Sequence, residues 1–489
     1  MRLEPRLYQQ QIIDSIRKRG NTLVVLPTGL GKTLIALALI EDKKREGKCL
    51  FLTPTKPLAR QHRDSILSVL GSEPEEVVLL TGEQPAHKRK AEYQKPILVS
   101  TPQTIRNDMG RGYINPQDIS LVIFDEAHRA VGNYAYVKIA QPLTPKTTII
   151  GLTASPGGDK KRIEEVLGNL KLKNVEVRTR HDADVKPYVK NLSFEWIPVE
   201  LGREHKEARS ILMKLAAIYS RKLAAQNFRP PLASKRQFME LRSKILKVNH
   251  PMKYRLLFNY SVLLHLLHLQ ELLETQGPYP TLKYLDKLAG GDSKSSQMLT
   301  THSDMRRFRE LIVNGGEHPK MLKLLELLEA HRGSKLIVFV QYRDNITRIV
   351  ELLATAGYNA RAFMGKRKDF TKKMQEETID AFRRGDFSIL VASSIGEEGL
   401  DIPAVDAVIF FEPIPSEIRS IQRRGRAGRF KDGAVYILMT KSSRDEYYYW
   451  ASVKREKRMK SILKGYQEKE AQSPQPKNED NQSRLDEFF

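Results

Sequence analysis

The chain has 489 residues, too many for one hydrophobic core, so about three domains are expected. Its 82 Lys and Arg against 58 Asp and Glu leave a net charge of +24. A charge-dense surface of the heat-stable kind would explain many charges but not this imbalance, which points to a polyanion, nucleic acid first. The single cysteine, Cys49, excludes disulfides and a cysteine metal cluster. With no apolar run long enough to span a bilayer and no signal-peptide core, an intracellular protein is expected, in cytoplasm or nucleoid.

The first stretch, Arg6 to Ile13, reads as a helix whose aromatic and amide side chains could contact an adenine, or as an amphipathic edge helix. The apolar run Thr22 to Leu26 predicts a buried strand, and Leu34 to Ile40 a helix. Between them lies Pro27-Thr28-Gly29-Leu30-Gly31-Lys32-Thr33, a glycine turn ending in Gly-Lys-Thr at a strand–helix junction. Glycines there let backbone N–H groups close on phosphate oxygens; Lys32 suits the β- and γ-phosphates and Thr33 a Mg²⁺ ion. Leu26 stands where the general phosphate-loop pattern has its first glycine.

Further short apolar runs, Cys49–Thr53, Val77–Leu80, Ile97–Ser100, Leu121–Phe124 and Thr148–Leu152, alternate with amphipathic segments. This rhythm predicts a parallel sheet covered by helices, with ligand chemistry at the carboxyl ends of the strands. Polar motifs fall at those ends: Thr53 to Leu58, Ser100 to Thr104, Asp125-Glu126-Ala127-His128 and Thr153-Ala154-Ser155. Two acids leaving a buried strand are costly unless used. Asp125 suits Mg²⁺ and Glu126 the orientation or deprotonation of a water.

From about Arg203 to His318 the rhythm gives way to long helical patterns. Fourteen basic residues against three acids between positions 203 and 255 read as a nucleic-acid surface, with Lys235, Arg236, Arg242 and Lys244 as candidate contacts. His265, His268 and Glu271 share a helix face but sit among leucines, so they read as structural rather than metal ligands. Strands resume at Leu336–Val340, Ala360–Phe363, Ser388–Ala392, Ala407–Phe411 and Ala434–Leu438. This second α/β unit lacks a Gly-Lys-Thr loop but carries Gly396 to Ile402, including Asp401, and Gln422-Arg423-Arg424-Gly425-Arg426-Ala427-Gly428-Arg429. Forked guanidinium groups between glycines match phosphate oxygens, either of a nucleic-acid backbone or of a transferring phosphate. Beyond about Lys464 the chain turns polar and reads as a disordered tail.

Taken in order, these motifs resemble those of a superfamily 2 helicase over residues 1 to about 465. Tyr8-Gln9 looks like the Q-motif, Pro27 to Thr33 like motif I, Thr53 to Leu58 like motif Ia, and Asp125 to His128 spells the DEAH box. Thr153 to Ser155 looks like motif III, Gly396 to Ile402 like motif V and Gln422 to Arg429 like motif VI. The form of motif VI and the helical insert are most similar to the helicase half of archaeal Hef, in the branch with Fanconi anaemia M-type translocases and the RIG-I-like and Dicer helicases.

The resemblance implies an α/β fold: two RecA-like parallel-sheet domains, at 1–202 and 319–465, with an all-helical insert domain at 203–318 between them and a tail at 466–489. It implies a 3′→5′ ATP-dependent helicase or translocase on forked or branched DNA. ATP would sit between the α/β units, contacted by Arg6, Gln9, Thr28, Gly29, Gly31, Lys32, Thr33 and Asp401, with Mg²⁺ on Thr33 and Asp125. Lys32, Asp125, Glu126, Gln422, Arg426 and Arg429 would carry hydrolysis, the last two as arginine fingers, while Thr55, Lys56 and Thr101 would grip the DNA backbone. The residues after Lys464 are too few to form the nuclease domain of longer Hef proteins, so nuclease activity is not implied. A double-stranded-RNA-dependent ATPase and an ATP-binding scaffold without turnover remain the alternatives. At the end of the tail, Gln482, Leu485, Phe488 and Phe489 have the spacing of a box that binds the PCNA sliding clamp.

Overall fold

The computed structural model describes residues 4–157, 159–180, 182–188, 192–232, 235–365, 370–393, 405–413 and 433–472. Contacts divide the chain into two compact units, Met1–Val189 with Lys454–Phe489, and Lys190–Val453. Motif V with Asp401, motif VI with Gln422, Arg426 and Arg429, and the tail with Gln482, Leu485, Phe488 and Phe489 lie outside the described residues.

The first unit is the expected parallel sheet. In chain order it contains α1 (Leu7–Arg19), β1 (Thr22–Val25), α2 (Lys32–Lys43), β2 (Lys48–Leu52), α3 (Lys56–Leu70), β3 (Val77–Leu80) and α4 (Ala86–Glu92). There follow β4 (Ile97–Ser100), α5 (Pro102–Gly110), β5 (Ile119–Asp125), α6 (Ala135–Ala140), β6 (Thr148–Thr153), α7 (Lys160–Asn169) and β7 (Asn174–Val177). The strand order is β3-β4-β2-β5-β6-β1-β7. β1, β4 and β5 are buried along their whole length, as strands covered by helices on both faces must be, which is why they read as unbroken apolar runs. Cys49 is buried in β2, and burial pushes its thiol up to about 12, so it is an inert core residue.

The second unit opens with β8 (Leu192–Val199), followed by six helices: α8 (Arg203–Ala224), α9 (Lys235–Leu246), α10 (Met252–Thr275), α11 (Pro278–Ala289), α12 (Lys294–Thr301) and α13 (Ser303–Asn314). Then come α14 (Pro319–Ala330), β9 (Leu336–Phe339), α15 (Arg343–Thr355), β10 (Ala360–Phe363), α16 (Lys372–Arg384), β11 (Ile389–Ala392), β12 (Ala407–Phe410), β13 (Gly433–Thr440) and α17 (Arg444–Gln472), of which the residues up to Val453 belong to this unit. The sheet order is β10-β11-β9-β12-β13-β8, all parallel. Two parallel-sheet domains and a helical insert are therefore present, as the sequence predicts.

Three details differ from the sequence reading. β8, placed there in the first domain, pairs along its whole length with β13 of the second sheet. The chain crosses to the second sheet before the helical insert begins. α17 runs to Gln472, past the expected start of the tail. α10 is, by length and composition, apolar enough to cross a membrane, although no such run was expected. It is instead the central helix of the insert, where Leu256, Tyr260, Leu263, Leu266, Leu269 and Leu273 join one hydrophobic cluster with α8, α9, α11, α12 and α13.

The insert is fastened to the second sheet by buried polar groups. Lys320 on α14 is fully buried, pairs with the Asp445 carboxylate on α17, and donates to the Thr275 carbonyl at the end of α10 (3.1 Å). Asn345 on α15 donates to the Gln276 carbonyl (3.2 Å), and Glu412, just after β12, accepts from the Gln341 N–H. Burial pushes the Glu412 carboxyl up to about 8, only partly opposed by Lys320. The folded protein thus keeps a proton that the unfolded chain releases near the ordinary value of 4.5. Glu412 therefore favours folding below that value, and the contribution is lost as pH rises towards about 8. Denaturant unfolding of Glu412→Gln checks this: its stability relative to the unmodified chain should be near zero at pH 5 and grow in the variant's favour by pH 8. A difference independent of pH contradicts it. Lys320→Met should destabilise by about 3–5 kcal/mol, because it strands the buried Asp445.

Candidate active site

β1 and β5 both flank β6, so the loops after these three strands open side by side at the carboxyl edge of the first sheet. After β1 the chain makes its glycine turn. Gly29 (φ 89°) and Gly31 (φ 71°) are in the left-handed region that side chains resist. Gly31 is also the N-cap of α2 and supplies no side-chain cap, so the helix presents its first N–H groups to an anion. A Cβ at Gly31 would strike Nε2 of Gln9. Lys32 Nζ donates to the Leu26 carbonyl (2.9 Å), and Thr33 follows it, half-buried, in the first turn of α2.

α1 supports this turn from behind. Gln9 is 2% exposed; its Nε2 donates to the carbonyls of Leu30 (3.1 Å) and Gly31 (3.3 Å), and its Oε1 accepts from the Arg6 N–H (2.8 Å). The Tyr8 hydroxyl donates to the Leu30 carbonyl (2.8 Å). The Gln9 amide nitrogen is thus spent on the backbone of the loop and its oxygen on the N-cap of its own helix. The Arg6 guanidinium lies over the Tyr188 ring, 5.1 Å from its centroid, and Arg180 Nη2 donates to the Thr28 carbonyl (3.3 Å).

The second loop begins at the last residue of β5, Asp125. Its carbonyl accepts from the buried Tyr136 hydroxyl (2.6 Å), which also lies 3.1 Å from the Leu52 carbonyl. Its carboxylate stands 3.4 Å from His62 Nε2, and the His62 ring stacks on Phe51 at 4.3 Å. Glu126 then takes a left-handed conformation (φ 51°, ψ 49°), a strain of roughly 1–2 kcal/mol for a residue with a side chain. That turn sends its carboxylate inward. Burial pushes the Glu126 carboxyl up, but His128, Lys32 and Arg129 outweigh burial and hold it well below the ordinary carboxylate range. His128 Nδ1 lies 3.3 Å from Glu126 Oε2 and 3.2 Å from the Thr153 hydroxyl, so it joins the DEAH loop to the Thr-Ala-Ser loop after β6. Gly151 in β6 makes room for this, since a Cβ there would come within 3.1 Å of Ala127 Cβ.

A carboxylate held low in a half-buried site, within the field of the phosphate-loop lysine, can orient a water and take its proton. Thr33 and Asp125 supply a hydroxyl and a carboxylate, an all-oxygen set that fits Mg²⁺ alongside phosphate oxygens. Among the described residues no three His, Cys, Asp or Glu side chains form a protein-only metal site. His265, His268 and Glu271 agree: His265 Nδ1 pairs with the Tyr284 hydroxyl (2.7 Å), and Glu271 with Arg444 (3.0 Å).

The proposed DNA contacts fall at neighbouring helix starts. Thr55 and Thr101 are the N-caps of α3 and α5, which follow the adjacent strands β2 and β4. The Thr55 hydroxyl is buried without a partner, Thr101 shares a hydrogen bond with Thr104 (3.0 Å), and Lys56 pairs with Glu83 (2.9 Å). In the insert, Phe238, Leu241 and Ile245 form the buried face of α9, while Arg242 and Lys244 are exposed. The side chains of Lys235 and Arg236 are outside the described set. Sequence reasoning missed His62, Tyr136 and Arg180, whose partners are 63, 11 and 152 residues away along the chain and carry no local motif.

Residues 2–158 match the family described as the res subunit of type III restriction enzymes, and residues 319–431 match the helicase conserved C-terminal domain. The fold is similar to the crystal structure of the Pyrococcus furiosus Hef helicase domain, with 42% identity and a TM-score of 0.73 over 92% of this chain and 98% of that one. A Methanocaldococcus jannaschii protein named as an ATP-dependent RNA helicase is 39% identical over 94% of this chain. The ATP-dependent DNA helicase mph1 of Neurospora crassa is 34% identical over 89% of it. The chain spans 61% and 41% of the lengths of these two relatives.

Two substitutions test the geometry. Gly31→Ala should displace Gln9 and weaken nucleotide binding, read by titration with a fluorescent nucleotide; unchanged affinity contradicts the packing described. Glu126→Gln should bind ATP with little change and hydrolyse it at least about 100-fold more slowly. A near-normal rate would remove Glu126 from the chemistry.

Proposed function

Because the chain belongs to the superfamily 2 helicases of the Hef type, we propose that it is an ATP-driven motor that translocates 3′→5′ and unwinds forked or branched DNA in replication-fork repair. The observation that carries the chemistry is the half-buried Glu126 beside His128 (3.3 Å) at the carboxyl edge of the first sheet, its carboxyl held low by His128, Lys32 and Arg129. In this reading Lys32 and the N–H groups at the start of α2 hold the triphosphate, and Thr33 and Asp125 hold Mg²⁺. The ion supplies neutralisation of phosphate charge when bound. Glu126 orients and deprotonates the attacking water, and Arg426 and Arg429 with Gln422 offset transition-state charge. Arg6, Gln9, Thr28 and Asp401 complete the nucleotide site.

The helix starts at Thr55 and Thr101, with Lys56, suit phosphates of a DNA strand, since backbone N–H groups there favour an anion. Arg242 and Lys244, exposed on the insert, would add a second grip at the branch together with Lys235 and Arg236. A single buried thiol and a nucleic-acid substrate suit an intracellular protein of cytoplasm or nucleoid. The terminal box Gln482, Leu485, Phe488 and Phe489 is proposed to engage a PCNA clamp.

The DNA name of the Neurospora crassa relative favours this reading; the RNA name of the Methanocaldococcus jannaschii relative favours duplex RNA. ATPase and strand-displacement assays with forks, four-way junctions and RNA duplexes decide between them, and absence of any hydrolysis would leave only a scaffold. DNA forks should stimulate most, and Lys32→Ala should abolish turnover. Neutralising Lys235, Arg236, Arg242 and Lys244 together should weaken fork binding and flatten its salt dependence. An equal loss on linear single strands would make the insert a general grip.

A further inference from the structure

We propose that the helical insert contains a pocket that captures one unpaired nucleobase at the branch of a forked DNA. The inference rests on the DNA-motor reading above and deepens it. The pocket is a cavity of about 450 Å³ inside the second unit, walled by α9, α10, α11 and the start of α17. That size falls in the range of clefts for small organic ligands and suits a nucleoside.

Its walls are aromatic. Phe238, His268, Tyr284, Tyr447 and Tyr448 line it. The rings on the insert side are held in place: His268 meets Tyr284 edge-on at 4.5 Å, and the Tyr284 hydroxyl is fixed by His265 Nδ1 at 2.7 Å. Stacking on such rings is available to any base, because every base has a π-face. One wall is polar. Arg444 Nη1 donates to Glu271 Oε2 (3.0 Å), and the Tyr448 hydroxyl donates to Glu271 Oε1 (3.3 Å). These side chains are 26% and 11% exposed, Arg444 and Glu271 respectively, so the pair is partly shielded from water. It sets a guanidinium donor beside a carboxylate acceptor, the combination that the hydrogen-bonding edge of a base requires.

The phosphates on either side of a captured base would meet positive charge. Arg242 is exposed one turn beyond Phe238 on α9, and Arg229 is exposed shortly before Leu232, which also lines the cavity. An apolar side chain or a lipid tail would have no use for the ion pair, and a free anion no use for the rings. A base on a charged backbone uses both.

The test measures binding of the full chain without nucleotide, by fluorescence anisotropy. Intact forks are compared with forks carrying an abasic site at each of the three unpaired nucleotides nearest the branch. At one position, loss of the base should weaken binding about tenfold, with an unchanged slope of log Kd against log salt, because stacking releases no counterions. Tyr447 is 57% exposed at the rim, so Tyr447→Ala can be made without disturbing the core. In that variant, intact and abasic forks should bind within threefold of each other. If no abasic position weakens binding to the unmodified chain, or if Tyr447→Ala keeps the full difference, there is no such pocket. Failure of the motor reading looks different: DNA forks would stimulate no ATP hydrolysis, whatever the abasic forks do.

Discussion

A half-buried carboxylate that must stay charged governs the first unit. His128, Lys32 and Arg129 together outweigh burial and hold the Glu126 carboxyl low, and they come from segments that the sheet brings together. Lys32 opens α2 after β1, while His128 and Arg129 follow β5. The two strands are separated only by β6, and the Thr153 hydroxyl at the end of β6 completes the link to His128. The left-handed turn at Glu126 is the conformational cost of this arrangement. A right-handed or extended residue there would carry the carboxylate away from the lysine. The strand order is therefore part of the chemistry as well as the fold.

The second unit is governed by a different buried charge. Lys320 is fully buried and meets Asp445, the Thr275 carbonyl and the face of Phe411. Its partners belong to the end of α10, to α17 and to the strand exit at Phe411, so the helical insert cannot shift against the sheet without exposing an unpaired charge. Burying apolar area alone would hold these helices with less directional preference. The polar bolt ties the end of α10 to α14 and α17.

The sequence displays what local chemistry encodes. Apolar runs make β1 to β6 and β9 to β13 visible, and the Gly-Lys-Thr and Asp-Glu-Ala-His motifs mark the carboxyl ends of β1 and β5. β8 is not visible as part of the second sheet, because Leu-Ser-Phe-Glu-Trp-Ile-Pro-Val alternates in polarity and the strand it pairs with, β13, lies more than 200 residues on. β7, short and containing Asn174 and Glu176, was missed for the same reason. The role of Gln9 was legible only in part: the motif marks its importance, but its grip on the Leu30 and Gly31 carbonyls is a tertiary fact. His62 and Tyr136 have no sequence signal at all, since they reach Asp125 through the pairing of β2 with β5. α10 has the length and composition of a membrane span because a helix enclosed by five others and a helix enclosed by lipid carry similar residues.

The claim that Glu126 is a ready base in the free protein is tested most directly by the pH dependence of kcat/KM for ATP, which reports ionisations of the free enzyme. Measured with saturating Mg²⁺ and forked DNA, kcat/KM should stay level from pH 8 down to pH 6, with no acid limb belonging to the carboxylate. A tenfold fall per pH unit beginning above pH 6, absent from Glu126→Gln, would mean that the carboxylate is protonated near neutrality and that its cationic neighbours do not hold it as described.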